Sequence, residues 1–128
     1  MIAIDTNLLI YAHRARTAEH RGACAAIDRA VRDGRGWGIA LPALTEFWSV
    51  VTHRNCLPRP STTVEAQAFL DSLLTRGRGM IWLPGPGFGQ RLFKLASSLG
   101  VTGARIFDLQ IALAAFEGGA TELWSHDG

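Results

Sequence analysis

The chain has 128 residues and a formal net charge of +2, with 48% hydrophobic and 19% charged residues. This length and composition predict one folded domain, residues 1–128, and argue against intrinsic disorder. The sequence contains no apolar run of about 18 residues, which excludes a transmembrane helix, and no basic N-terminal signal segment, so we expect a cytoplasmic protein.

The first half of the chain predicts two strands, each followed by helices. Residues 1–5 form a short apolar run with β-branched isoleucines, typical of a buried strand, and a short helix follows to about residue 14. Residues 17–32 predict a second helix with an apolar stripe that includes Cys24, so we expect this cysteine in the core. Residues 37–41 predict the second strand, and Pro42 begins the helix that carries Glu46.

The second half continues the alternation. After a loop over residues 55–60, Ser61 or Thr62 is expected to cap a helix. A third strand at 79–83, helices over 92–99 and 104–116, and a fourth strand at 121–125 follow. Strands separated by helices imply right-handed crossovers. We therefore expect an α/β fold with three layers, α/β/α, around a central parallel sheet.

Four carboxylates occupy positions that suggest a shared site. Asp5 and Asp127 both follow predicted strands, so they are expected at the same edge of the sheet, where open parallel sheets bind ligands. Glu46 lies one turn into the helix after the second strand, and Asp108 lies within an apolar helical run. Carboxylates in apolar surroundings are costly unless they are paired or bind a metal. Hard oxygen ligands without His or Cys favour Mg²⁺ or Mn²⁺ over zinc.

Each of these acids also has a purely structural interpretation. Asp5 precedes a helix, where aspartate commonly serves as the N-cap. Asp108 is favoured near a helix N-terminus by the helix dipole. Glu46 is compatible with a solvated position near a helix start, and Asp127 lies close to the end of the sequence.

Four short segments resemble the PIN-domain family and, within it, VapC-type ribonuclease toxins of bacterial toxin–antitoxin pairs. They are Ile-Asp-Thr-Asn at 4–7, Thr-Glu-Phe at 45–47, Phe-Asp-Leu-Gln-Ile-Ala at 107–112 and Trp-Ser-His-Asp at 124–127. The resemblance implies a PIN-like sheet of four to five strands. Relatives often continue past the last acid into a fifth strand, whereas this sequence ends at Gly128.

The resemblance also implies a site and an activity. Mg²⁺ or Mn²⁺ would be held by four acids, and Asp108 would fold back toward the sheet edge to join the others. The polar neighbours of the first and last acids would orient ligands or substrate. The implied reaction is hydrolysis of single-stranded RNA, in a homodimer that also binds an antitoxin protein. The implied acids are Asp5, Glu46, Asp108 and Asp127, and their polar neighbours are Thr6, Asn7 and Ser125.

Other residues and other functions remain open from the sequence. Arg105, one turn before Asp108, is a candidate phosphate contact, and Trp48 beside Glu46 is a candidate base-stacking group, although core packing is favoured for it. One alternative function is a phosphoacceptor domain, which needs a lysine near the acids; the only lysine, Lys94, lies in a different amphipathic helix. The other is a PIN-fold binding module without catalytic activity.

The sequence gives a second motive for a homodimer besides the resemblance. Five large apolar residues exceed what we expect one core of this size to accommodate. They are Trp48, Val51, Phe69, Leu73 and Trp82.

Overall fold

A computed structural model describes residues 1–126 of the chain, and it confirms the alternation of strands and helices. The strands are β1 (Ile2–Ile4), β2 (Trp37–Ala40), β3 (Met80–Trp82) and β4 (Glu122–Trp124). The helices are α1 (Thr6–His13), α2 (His20–Arg32), α3 (Leu41–Thr52), α4 (Thr63–Arg76), α5 (Phe88–Leu99) and α6 (Arg105–Glu117). Within these described residues, no helix is both long and apolar enough to cross a membrane.

The four strands form one parallel sheet in the order β3-β2-β1-β4. The connections from β1 to β2 and from β2 to β3 step in one direction, and the connection from β3 to β4 returns past β1. Right-handed crossovers therefore place α1 to α4 on one face of the sheet and α5 and α6 on the other. The expected three-layer α/β/α fold with a central parallel sheet is confirmed, with four strands among the described residues.

The core is built on the two central strands. Every residue of β1 and β2 is buried, including Ile2, Ile4 and Ile39. Trp82 in β3 is 4% exposed, and its ring packs against the backbone of Gly38 and of Gly118 just after α6. A Cβ atom at Gly38 would lie 3.0 Å from this ring, so the close approach of β2 to Trp82 depends on glycine.

Thr62, rather than Ser61, caps α4. The Thr62 hydroxyl accepts a hydrogen bond from the Glu65 backbone N–H, and the Glu65 carboxylate accepts one from the Thr62 N–H, which forms a capping box. Ser61 is buried, accepts a hydrogen bond from Arg14 Nη1 at 3.0 Å and lies 2.8 Å from His13 Nε2. These contacts fasten the loop before α4 to the end of α1.

The prediction that Cys24 lies in the core is wrong, because its side chain is exposed. Helix α2 begins at His20 and buries a stripe with the spacing of one helical face, namely Ala23, Ala26, Ile27 and Ala30. Alanines occur on both faces of this helix, so hydrophobicity alone did not identify the buried one. Leu41, which was expected to end the second strand, instead begins α3.

The five large apolar residues that suggested a dimer are accommodated within the single chain. Val51 and Trp82 are buried, and Trp48, Phe69 and Leu73 pack partly buried against the core. They therefore give no reason of their own to expect a second subunit.

Candidate active site

Asp5 lies at the C-terminal edge of the sheet, directly after the central strand β1. Its backbone N–H donates to the Trp124 carbonyl oxygen at 2.9 Å, which continues the pairing of β1 with β4. Its Oδ1 accepts a hydrogen bond from the Thr6 N–H at 2.8 Å, so Asp5 is the N-cap of α1. Asp5 therefore caps a helix and also lies at the sheet edge, so the two interpretations do not exclude each other.

The polar residues after Asp5 join neighbouring elements. The buried Thr6 hydroxyl lies 3.5 Å from the Ala43 carbonyl oxygen in α3, a long hydrogen bond between the starts of two helices. Asn7 Oδ1 accepts a hydrogen bond from the backbone N–H of His126 at 3.0 Å, just after β4. Both contacts fix the position of α1 relative to the other elements at this edge, which supports a positioning role for Thr6 and Asn7.

Glu46 and Asp108 reach the same region from two other helices. The pKa of Glu46 in α3 is raised, first by partial burial of its carboxyl group and then by the negative charges of Asp5 and Asp108. Asp108 lies in the first turn of α6, where the helix dipole favours a negative charge. The structure therefore brings three of the four predicted acids close enough to interact electrostatically. The fourth, Asp127, lies outside the described residues.

Glu46 and Asp108 are not enclosed by the apolar residues that surround them in the sequence. Glu46 and Asp108 are both exposed, because the apolar residues of their helices lie on the opposite, buried faces. Ala43 and Phe47 are buried on that face of α3, and Ile111 is buried on the corresponding face of α6. What makes the cluster electrostatically unfavourable is mutual repulsion and partial burial at Glu46, not full enclosure of each acid.

A cleft of about 710 Å³ opens beside Glu46 and Asp108. Its walls combine these two acids with apolar side chains, among them Leu41, Pro84 and Phe107. This volume lies within the range of about 300–1,000 Å³ typical of small-molecule sites. Phe107 belongs to the apolar helical run that contains Asp108, yet its side chain is 60% exposed. Nothing in the helical pattern separates it from its buried neighbours.

The remaining predicted residues have different surroundings. Arg105 begins α6, one turn before Asp108, is exposed and forms no ion pair with any residue between 1 and 126. Ser125 is half-buried between β4 and His126. Trp48 packs partly buried against the core, so it is a poor candidate for stacking a base.

The donor set of this edge suits a hard divalent cation. Asp5, Glu46 and Asp108 supply only carboxylate oxygens, the ligands preferred by Mg²⁺ and Mn²⁺. Partial burial is the main cause of the raised pKa of Glu46, and a cation would offset the second cause, the negative charges of Asp5 and Asp108. In the stretch 1–126, no three His, Cys, Asp or Glu side chains are already arranged closely enough to enclose a metal ion.

Comparisons with known proteins identify relatives of the whole chain. No family model matches the chain. The VapC ribonuclease Mb2897 of Mycobacterium bovis and ribonuclease VapC43 of Mycobacterium tuberculosis are each 32% identical to it over 128 residues, covering all of this chain and 87% of theirs. Ribonuclease VapC31 of Mycobacterium tuberculosis is 27% identical over 115 residues, covering 90% of this chain and 81% of its own.

The fold has a solved counterpart. The crystal structure of Mycobacterium tuberculosis VapC20, described as a Sarcin-Ricin loop cleaving toxin, superposes with a TM-score of 0.75 at 14% identity, covering all of this chain and 91% of that one. The full-length similarity to two curated ribonucleases establishes the family, and the structural match establishes the fold. The chain belongs to the family of VapC ribonucleases.

Proposed function

We propose that the protein is a metal-dependent endoribonuclease that hydrolyses phosphodiester bonds of single-stranded RNA and acts as the toxin of a toxin–antitoxin pair. The observation that carries this proposal is the approach of three carboxylates from separate elements, two of which, Glu46 and Asp108, line one cleft. The pKa of Glu46 in α3 is raised first by partial burial and then by the negative charges of Asp5, which follows β1, and Asp108, which lies in α6. Membership in a family of ribonucleases agrees with it.

We assign the acids the roles of metal ligands and proton acceptor. Asp5, Glu46 and Asp108, together with Asp127, are the proposed ligands of Mg²⁺ or Mn²⁺. When bound, such a cation lowers the pKa of water and offsets the negative charge that develops on the phosphodiester. One of these carboxylates would accept the proton of the attacking water.

Four polar residues complete the proposed site. Arg105 is exposed near Asp108, where its guanidinium can bind a phosphate of the RNA through two hydrogen bonds. Thr6 and Asn7 hold the start of α1 against α3 and the segment after β4. Ser125 precedes that segment, and we propose that it orients the substrate.

The wider biology is proposed on the same family basis. We expect residues 1–128 to act as one domain in the cytoplasm, to form a homodimer and to be neutralised by an antitoxin protein. Light scattering at high concentration tests the dimer, and a single-chain mass there would contradict it. Expression of the parent protein, but not of Asp5→Asn, should arrest the growth of a bacterial host.

The activity is tested with purified protein freed of metal by a chelator and supplied with single-stranded RNA. Cleavage should require added Mg²⁺ or Mn²⁺ and should be lost in Asp5→Asn, Glu46→Gln and Asp108→Asn. Asp71→Asn is the matched control, because Asp71 is exposed on α4 and lies outside the acidic cluster. Cleavage that persists in all three site variants would refute the proposal.

The same preparations separate the two alternatives. A phosphoacceptor domain would incorporate phosphate from a small acyl phosphate at one aspartate, and Lys94 in α5 does not line the cleft that such chemistry would need. A binding module without catalytic activity would bind RNA and leave it intact with either metal.

A further inference from the structure

We propose that the cleft beside Glu46 and Asp108 holds one unstacked nucleobase of the RNA against the ring of Phe107, with Gln110 facing the edge of that base. This inference rests on the proposed ribonuclease function and assigns a base-binding subsite to the same cleft. Phe107 immediately precedes Asp108, lines the cleft and is 60% exposed. Gln110 lines the same cleft.

Binding of a phosphate group alone would not explain the apolar side chains that line the cleft. Single exposed apolar residues are common on protein surfaces and need no explanation. Here, however, Phe107 shares the cleft with Leu41, which is 38% exposed, and with Pro84, directly beside two carboxylates. Acids that act on a phosphodiester require no apolar surface, whereas the base attached to the same nucleotide does. Unstacked bases of single-stranded RNA bind by stacking on aromatic side chains.

Gln110 is placed to contact the edge of such a base. It follows Phe107 by three residues on α6, so the two side chains are neighbours on the helix surface. Its amide carries both donors and acceptors, and it forms no side-chain hydrogen bond with another residue in the part of the chain that the structure describes. A carboxamide beside a stacking ring can pair with the polar edge of a base.

The alternative occupant is an apolar side chain of a partner protein. The base is favoured because the apolar wall and the acids belong to one continuous cleft, and a nucleotide presents its base and its phosphate together. A partner protein would form no favourable interaction with the two carboxylates unless it placed positively charged side chains beside them.

The experiment begins with the parent protein and a random-sequence library of single-stranded RNA, with cleavage sites mapped by sequencing. A cleaved oligonucleotide is then compared with versions lacking the base on either side of the scissile bond. The variants are Phe107→Ala, Phe107→Leu, which stays apolar without a π-face, and Phe107→Trp. Phe116→Ala is the matched control, because Phe116 lies on the same helix, is 71% exposed and lines a separate apolar groove beside β4.

We expect kcat/KM to fall about 5- to 150-fold in Phe107→Ala and Phe107→Leu, the range for loss of one base stacked on an aromatic ring. Phe116→Ala should cleave as the parent does, and Phe107→Trp, which keeps an aromatic face, should lose less activity than Phe107→Leu. Removing the base should cost the parent a similar factor and Phe107→Ala almost nothing further, because residues that share one interaction are not additive. Gln110→Ala should broaden the base preference at that position in the library.

Several results would overturn the inference. Parent-like kcat/KM in Phe107→Ala, or additive losses from the variant and the missing base, would show that no base stacks there. If Mn²⁺ stabilises Phe107→Ala less than the parent against heat, the substitution acts through the metal site and not through a base. If Phe107→Ala cleaves RNA normally but no longer binds a partner protein, the cleft binds that protein and not a base. An unchanged base preference in Gln110→Ala would remove Gln110 from the subsite. A parent protein that cleaves no RNA at all would overturn the proposed function and this inference with it.

Discussion

Replacing Asp5 by Asn separates the two roles that the structure gives this residue. Asp5 caps α1 by accepting the Thr6 N–H at 2.8 Å, and its negative charge helps to raise the pKa of Glu46. Asn keeps the size and the capping oxygen and removes the charge, whereas Ala removes both. The pair Asp5→Asn and Asp5→Ala therefore distinguishes the cap from the charge.

The expected free energies of unfolding without metal follow from these two interactions. Asn caps a helix about as well as Asp, and replacing a capping residue by Ala costs about 0.5–2 kcal/mol. Removing a like charge near the exposed Glu46 relieves a repulsion that solvent screens, of order 0.2–1 kcal/mol. We expect Asp5→Asn to be as stable as the parent or up to about 1 kcal/mol more stable, and Asp5→Ala to be about 1 kcal/mol less stable than Asp5→Asn.

Metal and RNA then provide the decisive comparison. At an Mn²⁺ concentration about 100 times the parent's Kd, binding stabilises the folded parent by about 2.7 kcal/mol, and a variant with hundredfold weaker affinity gains about 0.4 kcal/mol. Thermal unfolding with and without Mn²⁺ measures both values, and RNA cleavage at limiting metal measures the consequence. Equal Mn²⁺ stabilisation and equal cleavage in Asp5→Asn and the parent would remove Asp5 from the metal site and would refute the reasoning.

Four further substitutions test other features of the structure. Glu46→Gln should stabilise the metal-free protein at pH 7; because the folded-state pKa of Glu46 is raised, this advantage should vanish below the unfolded value of 4.5, as urea unfolding at several pH values will show. Gly118→Ala should lower the free energy of unfolding by about 1–3 kcal/mol, because its Cβ would collide with the buried Trp82 ring. Gly22→Ala, in open space on α2, should instead raise it by about 0.5–1 kcal/mol, and equal effects at the two glycines would contradict the packing. Thr62→Ala should cost about 0.5–2 kcal/mol through loss of the α4 cap, measured by thermal unfolding.

The order of strands and helices was predictable because each element carries a local signal. The β-branched run before Asp5 and the proline at the start of α3 mark element boundaries without reference to the rest of the chain. The placement of Asp5 was predictable for the same reason, since a residue that follows a parallel strand lies at a known edge of the sheet. The position of Glu46 follows from its distance of one turn from that edge.

Exposure and long-range packing were not predictable in this way. The pattern around Glu46 and Asp108 is apolar because each helix buries one face, and in a short helix the residues of both faces alternate closely in sequence. The approach of Asp108 to Asp5 depends on how α6 crosses the sheet, which no local pattern encodes; the family resemblance supplied it. Phe107 was missed because an exposed phenylalanine and a buried one have the same sequence signature.

The hydrogen bonds of Thr6 and Asn7 stabilise the fold at the same edge of the sheet where the acids lie. The negative charges of Asp5 and Asp108 act on Glu46 at this edge. The Thr6 hydroxyl joins α1 to α3 through the Ala43 carbonyl oxygen, and Asn7 joins α1 to the segment after β4. Neutralising one of these acids is expected to remove function while leaving or improving stability, because it removes repulsion. Thr6→Ala or Asn7→Ala removes a contact between elements, so stability and RNA cleavage should fall together in these variants. Loss of cleavage at unchanged stability in the acid variants, and loss of both in the Thr6 and Asn7 variants, would distinguish the proposed ligands from the proposed positioning residues.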